Sequence, residues 1–183
     1  EYYIEYWKYI DIFVYFTHDF ITIPPSQWIN IAHKNETMVL GTLITEWERG
    51  TRLSHEIIDN PNNRSKFVDC LVNLAIYYGF DGWFLNFESD LRTFNAQTDQ
   101  PPSYAMKLLS FVQELTSAVH KRIPYGKVLW YDSIEIQFGK VRHQSQLNNL
   151  NAPYFYACDG IFTDYHWKKN FPYESLKHCS NKS

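Results

Sequence analysis

The feature that most constrains the fold is a series of short apolar runs separated by longer segments with helical periodicity. Each run is almost continuous in β-branched, aromatic and aliphatic side chains, which is typical of a strand buried on both faces of a parallel sheet. Strands alternating with helices predict βαβ units. Five strands are predicted, at residues 10–16, 38–44, 81–88, 127–131 and 159–163.

The clearest helix is predicted between the second and third strands, over residues 64–78. Phe67, Leu71 and Tyr78 recur at helical spacing, and Gly79 follows where a helix C-cap belongs. Two polar segments, rich in turn-forming residues, are interpreted as loops: 45–63 and 89–102. Three other helices are predicted. One starts near Ser26, a second runs over 103–120, and a short third one runs over 141–151.

A chain of 183 residues is long enough for one domain with a sizeable core. A complete (β/α)₈ barrel has eight strands and about 250 residues. No glycine-rich phosphate loop follows any predicted strand, which disfavours an open nucleotide-binding sheet. We therefore expect residues 1–183 to be one part of an α/β TIM barrel, with its first and last strands missing and no closing strand in 170–183.

The composition excludes several classes of function. The net charge of −3 and the absence of a basic run disfavour nucleic acid as a partner, and no apolar run is long enough to cross a membrane. Three cysteines without CxxC spacing argue against a disulfide framework and favour a reducing compartment. Three N-glycosylation sequons argue instead for a secreted protein, and they stand at Asn35, Asn63 and Asn181. Seven scattered histidines predict no metal site.

Asn86 and Glu88 are the residues most directly suited to chemistry. Side chains two positions apart on a strand point the same way, so this pair shares a face at the carboxyl end of its strand, where barrel enzymes hold catalytic groups. A glutamate there can donate a proton to a leaving oxygen if apolar neighbours favour its neutral form. Trp83, Phe84 and Phe87 are candidates for such neighbours.

Other acidic and aromatic residues follow the neighbouring predicted strands. Together they could line one mouth as an acid, charge-stabilising groups and stacking platforms, the requirements of a carbohydrate hydrolase. For Trp83 a place in the core is favoured over a sugar contact, whereas Trp130 fits a core position and a pocket floor equally. The candidates are Glu46, Trp47, Trp83, Trp130, Tyr131, Asp132, His143, Asp164 and Trp167, with His18 as a further candidate.

Several segments, taken together and in order, resemble the endo-β-N-acetylglucosaminidases of glycoside hydrolase family 85, in particular the cytosolic animal type. The resemblance covers nearly the whole chain and includes the WYDS sequence at 130–133. Two positions depart from the family pattern: His143 stands where a tryptophan is usual, and Asp164 stands where an asparagine is usual. The matching segments are 9–16, 39–42 with 44–47, 80–88, 128–133 and 158–163.

This resemblance implies a barrel enzyme that cleaves the GlcNAc-β-1,4-GlcNAc core of N-glycans with retention of configuration. The acetamido oxygen of the substrate would attack the anomeric carbon and form an oxazoline. Asn86 would orient the acetamido group, Glu88 would act as acid and base, and Tyr131 would help to hold the intermediate. No cofactor and no metal is implied, and the expected partners are N-glycans, free or on glycopeptides and misfolded glycoproteins in the cytosol.

Two other hypotheses stay open from the sequence. One is a glycan-binding homologue or fragment that keeps the cleft but has lost turnover. The other is an unrelated α/β enzyme of nucleotide or phosphate chemistry, for which the sequence lacks a phosphate-loop signature.

Overall fold

A six-stranded sheet organises the fold of this computed structural model, which describes residues 3–91 and 101–179. Five parallel strands follow the order β1-β3-β4-β5-β6 and form a curled half-barrel, and β2 adds an antiparallel pair to β3. The strands are β1 (Ile12–Val14), β2 (Ile21–Thr22), β3 (Met38–Glu46), β4 (Gly82–Glu88), β5 (Lys127–Tyr131) and β6 (Gly160–Phe162).

Helices connect the parallel strands, so the predicted α/β class with five parallel strands is confirmed. A short 3₁₀ turn at Trp7–Tyr9 precedes β1. The predicted loop 89–102 lies largely outside the described residues, as does the sequon at Asn181. The helices are α1 (Ser26–Lys34), α2 (Trp47–Ile58), α3 (Pro61–Tyr78), α4 (Pro101–Arg122), α5 (Ala152–Ala157) and α6 (Phe171–Cys179).

Helix α3 begins and ends where local chemistry favours it. The Asn60 side chain accepts a hydrogen bond from the backbone N–H of Asn62, and Pro61 occupies the first turn, where its missing N–H is not needed. At the other end Gly79 adopts a left-handed conformation with φ of 77°. The predicted C-cap is therefore confirmed.

The prediction of a loop over 45–63 is wrong, because α2 starts directly after β3. The buried face of this helix consists of Gly50, Ser54, Ile57 and Ile58, so its first turns carry no apolar side chain that would reveal the helix in the sequence. A Cβ atom on Gly50 would lie 2.7 Å from the carbonyl carbon of Thr45. The hydroxyl of Ser54 donates a hydrogen bond to Thr45 Oγ1 at 3.2 Å. Close backbone approach and a polar contact thus hold α2 on the sheet.

The prediction of a short helix over 141–151 is also wrong, since the helix in this region, α5, begins at Ala152. The backbone N–H groups of Gln144 and Ser145 donate to the Asp132 carboxylate at 2.9 and 2.6 Å. Ser145 has φ of 57°, outside the right-handed helical region. The segment is therefore a loop, in which the Asp132 carboxylate accepts the hydrogen bonds of these two backbone N–H groups.

The two faces of β4 have different environments. Trp83, Leu85 and Phe87 are fully buried in the core beneath the helices, and the Trp83 indole donates a hydrogen bond to the Leu71 carbonyl of α3 at 3.1 Å. The alternate side chains, which include Asn86 and Glu88, face the concave side of the sheet.

No helix in the described part of the chain is long and apolar enough to span a membrane.

Candidate active site

A cavity of about 650 Å³ opens at the carboxyl ends of the parallel strands. This volume is in the range of small-molecule sites, which are typically a few hundred to about 1,000 Å³. Aromatic and aliphatic side chains form most of its wall, with a few polar groups among them. The lining residues are Ile12, Val14, Phe16, His18, Phe84, Asn86, Glu88, Tyr131, Phe162 and Tyr165.

Asn86 and Glu88 lie side by side in this cavity. The Asn86 amide nitrogen donates to Glu88 Oε2 at 3.4 Å. Asn86 is 3% exposed, and its amide oxygen has no hydrogen-bond partner among the described residues. A buried polar atom without a partner costs free energy unless a ligand supplies one. The pair therefore offers an acceptor and an acid group to a molecule in the cavity.

Glu88 has a second partner on its other oxygen. The imidazole Nε2 of His143 lies 3.3 Å from Glu88 Oε1. Of the three apolar neighbours expected for Glu88, only Phe84 shares its face of β4, because Trp83 and Phe87 point into the core on the other face. The carboxyl group is thus bracketed by an amide and an imidazole.

Tyr131, on the adjacent strand, completes the polar part of the cavity and is tied to Asp164. Its hydroxyl donates to Asp164 Oδ1 at 3.2 Å. Burial, together with the nearby charges of Glu88 and Asp164, raises the pKa of Tyr131 well above its usual range. The phenol therefore stays protonated, with its hydrogen directed to Asp164.

Asp164 is buried behind Tyr131 and is held as a carboxylate. Burial alone would raise its pKa, but hydrogen bonds from His166, the backbone of Tyr165 and Tyr131 outweigh this effect and lower the pKa to about 2. His166 Nδ1 lies 2.6 Å from Asp164 Oδ2, and Ser145 Oγ donates to the same oxygen at 3.3 Å. A fixed negative charge thus orients the Tyr131 hydroxyl.

Glu46 and Glu88 are direct partners in the register of β3 and β4. Glu46 pairs with His18, whose Nδ1 lies 3.0 Å from Glu46 Oε2. The two neighbouring carboxyl groups at the mouth therefore each have a histidine partner from a different loop. This symmetry could not be read from the sequence, because the histidines are 28 and 55 positions away from their glutamates.

The structure corrects three of the predicted substrate contacts. Trp83 and Trp130 are fully buried, and Trp130 stacks on Tyr154 of α5 with ring centroids 4.3 Å apart. Asp132 is 1% exposed and bonds the loop at Gln144 and Ser145. Burial raises the pKa of Asp132, opposed by the hydrogen bonds that it accepts. These side chains face the core or a loop and do not line the cavity, and for Trp83 this is the core position that the sequence favoured.

Two other predicted contacts lie at the surface. Trp47 is 83% exposed at the start of α2, and Trp167 is 59% exposed after β6. Neither belongs to the cavity lining, so a contact of either indole with substrate stays a prediction. The candidate site residues from the sequence did not include Phe162, Tyr165 and His166, which lie at or just after the end of the last strand.

The described residues contain no group of three or more His, Cys, Asp or Glu side chains arranged to hold a metal ion. The polar groups of the cavity are instead suited to proton transfer and amide recognition.

Comparison with known proteins identifies the family. The sequence profile described as glycosyl hydrolase family 85 matches residues 1–183. The chain belongs to glycosyl hydrolase family 85. It is 42% identical over 166 residues to the cytosolic endo-beta-N-acetylglucosaminidase of Mus musculus, covering 90% of this chain and 21% of that protein. It is 40% identical over 171 residues to cytosolic endo-beta-N-acetylglucosaminidase 1 of Arabidopsis thaliana, covering 93% and 24%.

Solved structures support the barrel architecture of this family 85 chain. The Endo-D glycoside hydrolase domain from Streptococcus pneumoniae R6 superposes with a TM-score of 0.77 at 22% identity, covering 98% of this chain and 28% of that one. A chitinase from Bacteroides thetaiotaomicron gives 0.62 at 15% identity, covering 96% and 56%. The predicted incomplete (β/α)₈ barrel is confirmed. The chain spans about a fifth to a quarter of the length of the mouse and Arabidopsis relatives.

Proposed function

We propose that the protein is an endo-β-N-acetylglucosaminidase that cleaves the GlcNAc-β-1,4-GlcNAc core of N-glycans with retention. Residues 1–183 would form part of its catalytic barrel, acting on glycans that are free or attached to glycopeptides and misfolded glycoproteins. The names of the mouse and Arabidopsis relatives support this activity and a cytosolic location. No cofactor takes part in the proposed reaction.

The observation that carries the proposal is the pairing of Asn86 with Glu88 in the cavity, 3.4 Å apart. A glycosidase with two catalytic carboxylates would use one as the proton donor and the other as nucleophile or base. Here the position two residues before the acid carries an amide. An amide is a poor nucleophile but a good partner for another amide, which suggests that the nucleophile belongs to the substrate.

In the proposed first step, the 2-acetamido oxygen of the substrate attacks the anomeric carbon. The bond from this carbon to the glycosidic oxygen breaks, and Glu88 gives its proton to the departing oxygen. The product is an oxazolinium ion that still carries the acetamido N–H. The unpartnered amide oxygen of Asn86 is suited to accept a hydrogen bond from that N–H and thereby to stabilise the positive charge.

In the second step, water attacks the anomeric carbon from the side of the departed group. Glu88, now a carboxylate, takes a proton from this water, and the acetamido group re-forms as the oxazoline ring opens. Both steps need the acetamido group to be held close to the anomeric carbon. Orientation of this kind can supply several kcal/mol of the rate enhancement, up to about 7–11 kcal/mol in the best intramolecular cases.

Tyr131 is proposed to fix the acetamido group from the side opposite Asn86. The hydrogen bond from its hydroxyl to Asp164 at 3.2 Å holds the Tyr131 ring in the wall of the cavity, where the ring limits the positions open to the acetamido group. The aromatic wall formed by Phe84 and Phe162 restricts the space for the acetamido methyl group.

The test uses the full-length protein and a high-mannose glycopeptide. Mass spectrometry should show loss of the glycan with a single GlcNAc left on the peptide. Glu88→Gln should lower kcat/KM by at least about a hundredfold while the circular dichroism spectrum stays the same. Near-normal turnover by Glu88→Gln would refute the acid/base assignment, and glycan retention without cleavage by the wild-type protein would indicate a binding homologue instead.

A further inference from the structure

The contact between His143 and Glu88 gives the proposed acid a second constraint that the reaction scheme above does not use. Nε2 of His143 lies 3.3 Å from Oε1 of Glu88, while Oε2 faces the Asn86 amide nitrogen at 3.4 Å. Both carboxyl oxygens of Glu88 therefore have a partner. We propose that His143 is a positioning residue that sets the rotation of the Glu88 carboxyl group for proton transfer. This inference rests on the proposed function of Glu88.

The loop that carries His143 is held in place on both sides of the histidine. The backbone N–H of Arg142 donates to the Ser133 carbonyl at 2.8 Å. The N–H groups of Gln144 and Ser145 both donate to Asp132, at 2.9 and 2.6 Å. Since Asp132 is itself buried at the end of β5, these bonds fix the backbone that carries His143 relative to the sheet. The imidazole is thus presented to Glu88 by a fixed backbone.

A second anchor ties the same loop to the strand of Glu88. The N–H of Val141 donates to Asp90 Oδ1 at 2.7 Å, and Asp90 lies two residues after Glu88. The N–H of Leu91 donates to the Gly139 carbonyl at 2.9 Å. The histidine and the glutamate therefore belong to two segments that are bonded to each other, which keeps their separation constant.

The surroundings of His143 indicate what its side chain does. It faces Glu88 from β4, the Tyr131 ring from β5 at a centroid distance of 5.6 Å, and, from the segment after β6, Asp164, whose pKa it helps to lower. Its side chain is 33% exposed, so its outer edge is open to solvent. An imidazole whose Nε2 carries hydrogen donates to Glu88 Oε1. The proton of the neutral acid is then left to Oε2, the oxygen on the side of Asn86.

A carboxylic acid that can rotate freely spends part of its time with its proton away from the glycosidic oxygen. Restraint of Oε1 by His143 leaves the orientation of Oε2 fixed relative to the cavity. Errors of about 1 Å in the placement of a reacting group can reduce a rate about a hundredfold. Loss of the imidazole should therefore reduce kcat, while substrate binding is largely retained.

The experiment compares His143→Phe and His143→Gln in the full-length protein on two substrates. His143→Phe keeps a ring of similar size but removes the hydrogen bond, so kcat on a glycopeptide should fall by about tenfold to a hundredfold with KM changed less than about threefold. His143→Gln supplies an amide donor at the same reach and should recover most of the lost kcat. Thermal unfolding of each variant shows whether the fold is kept.

The second substrate separates positioning of Glu88 from other roles. It is an aryl glycoside of the same glycan, whose phenolate leaves without needing a proton. If His143 acts through Glu88, the loss caused by His143→Phe should nearly disappear on this substrate. An equal loss on both substrates, or no loss on either, would overturn the inference. Cleavage of neither substrate by the wild-type protein would instead refute the proposed function.

The pH profile gives a third measurement. An imidazole can exchange a proton with the solvent, whereas the amide of glutamine cannot. The dependence of kcat on pH should therefore differ between the wild-type protein and His143→Gln. Identical profiles, together with an undiminished kcat for His143→Phe, would contradict the proposal.

Discussion

Asp81 and Asp159 make the same set of contacts at two separate points of the sheet. Each stands directly before a strand, and its backbone N–H donates to a carbonyl of the preceding parallel strand, that of Val39 at 2.8 Å and that of Val128 at 2.9 Å. The carboxylate of each then accepts the backbone N–H of the same valine at 2.7 Å. At both points, the residue just before a strand is thereby bonded to the neighbouring parallel strand through its backbone and through its side chain.

A histidine from the last turn of a helix completes each of these arrangements. His33 of α1 lies 2.7 Å from the Asp81 carboxylate, and His120 of α4 lies 3.0 Å from that of Asp159. Both sit at the amino ends of the strands, opposite the proposed active site. Asp81 therefore has a structural role at the end of the strand opposite Glu88.

Replacing these aspartates should destabilise the fold. Asp81→Ala and Asp159→Ala each leave a buried valine N–H without its charged acceptor, with an expected loss of about 1.5–3 kcal/mol in the free energy of unfolding. Urea unfolding of the full-length protein would measure it. Asp69→Ala is the control, because Asp69 is 70% exposed and its loss should change stability by less than about 0.5 kcal/mol. Equal effects at all three positions would contradict this role.

Gly82 has no room for a side chain. It has φ of 144°, and an added Cβ would lie 1.9 Å from the carbonyl oxygen of Lys127 on the adjacent strand. Gly82→Ala should therefore force β4 and β5 apart and lower the free energy of unfolding by about 3 kcal/mol or more. Gly79→Ala also occupies a left-handed position, but with nothing within 4 Å, and should cost about 1–2 kcal/mol. Differential scanning calorimetry on both variants tests the difference, and equal shifts in Tm would refute it.

The tryptophans should separate into two classes. Trp47→Ala removes an exposed indole and should raise KM for a glycopeptide by about tenfold, equivalent to ~1.4 kcal/mol, with little effect on unfolding. Trp83→Ala leaves a cavity in the core and should lower stability by about 3–5 kcal/mol. Steady-state kinetics and thermal unfolding on the same samples distinguish them. An unchanged KM for Trp47→Ala would exclude that indole from glycan binding.

Asp164 should make stability depend on pH in the acidic range. Its pKa is about 2 in the folded protein, below the value of ~3.9 for an unperturbed aspartate. The carboxylate therefore stabilises the fold above pH ~4, and this stabilisation, about 1–2 kcal/mol, is lost as the pH falls towards 2. The stability difference between wild type and Asp164→Asn should be constant above pH ~5 and shrink below it. A difference that does not vary with pH would refute the assignment.

The main strands could be predicted from the sequence because their burial is nearly complete. In β3, seven consecutive residues are buried, so apolar side chains occur without alternation. Helix α2 could not be predicted, because the first two turns of its contact face carry Gly50 and Ser54, and aliphatic contacts come only at its end, from Ile57 and Ile58. The loop before α5 was mistaken for a helix because its conformation depends on Asp132, a residue on a different element.

The candidate site was predictable in part for the same reason. The two-residue period of a strand placed Asn86 and Glu88 on one face, and the structure confirms that both line the cavity. The same period puts Trp83 on the opposite face, but sequence alone does not say which face is the core. The contact of His143 with Glu88 depends on a loop anchored by long-range hydrogen bonds, which no local pattern encodes.

Trp47 shows how a strand end can direct a side chain. Its φ of 58° lies in the left-handed region, which is unfavourable for a bulky residue and would suit glycine or asparagine. This backbone conformation lies where the chain turns from β3 into α2, and the indole is left exposed to solvent. A glycine at this position would relax the turn and remove the indole. The exposed indole at this position is therefore kept at a cost in backbone conformation that glycine would avoid.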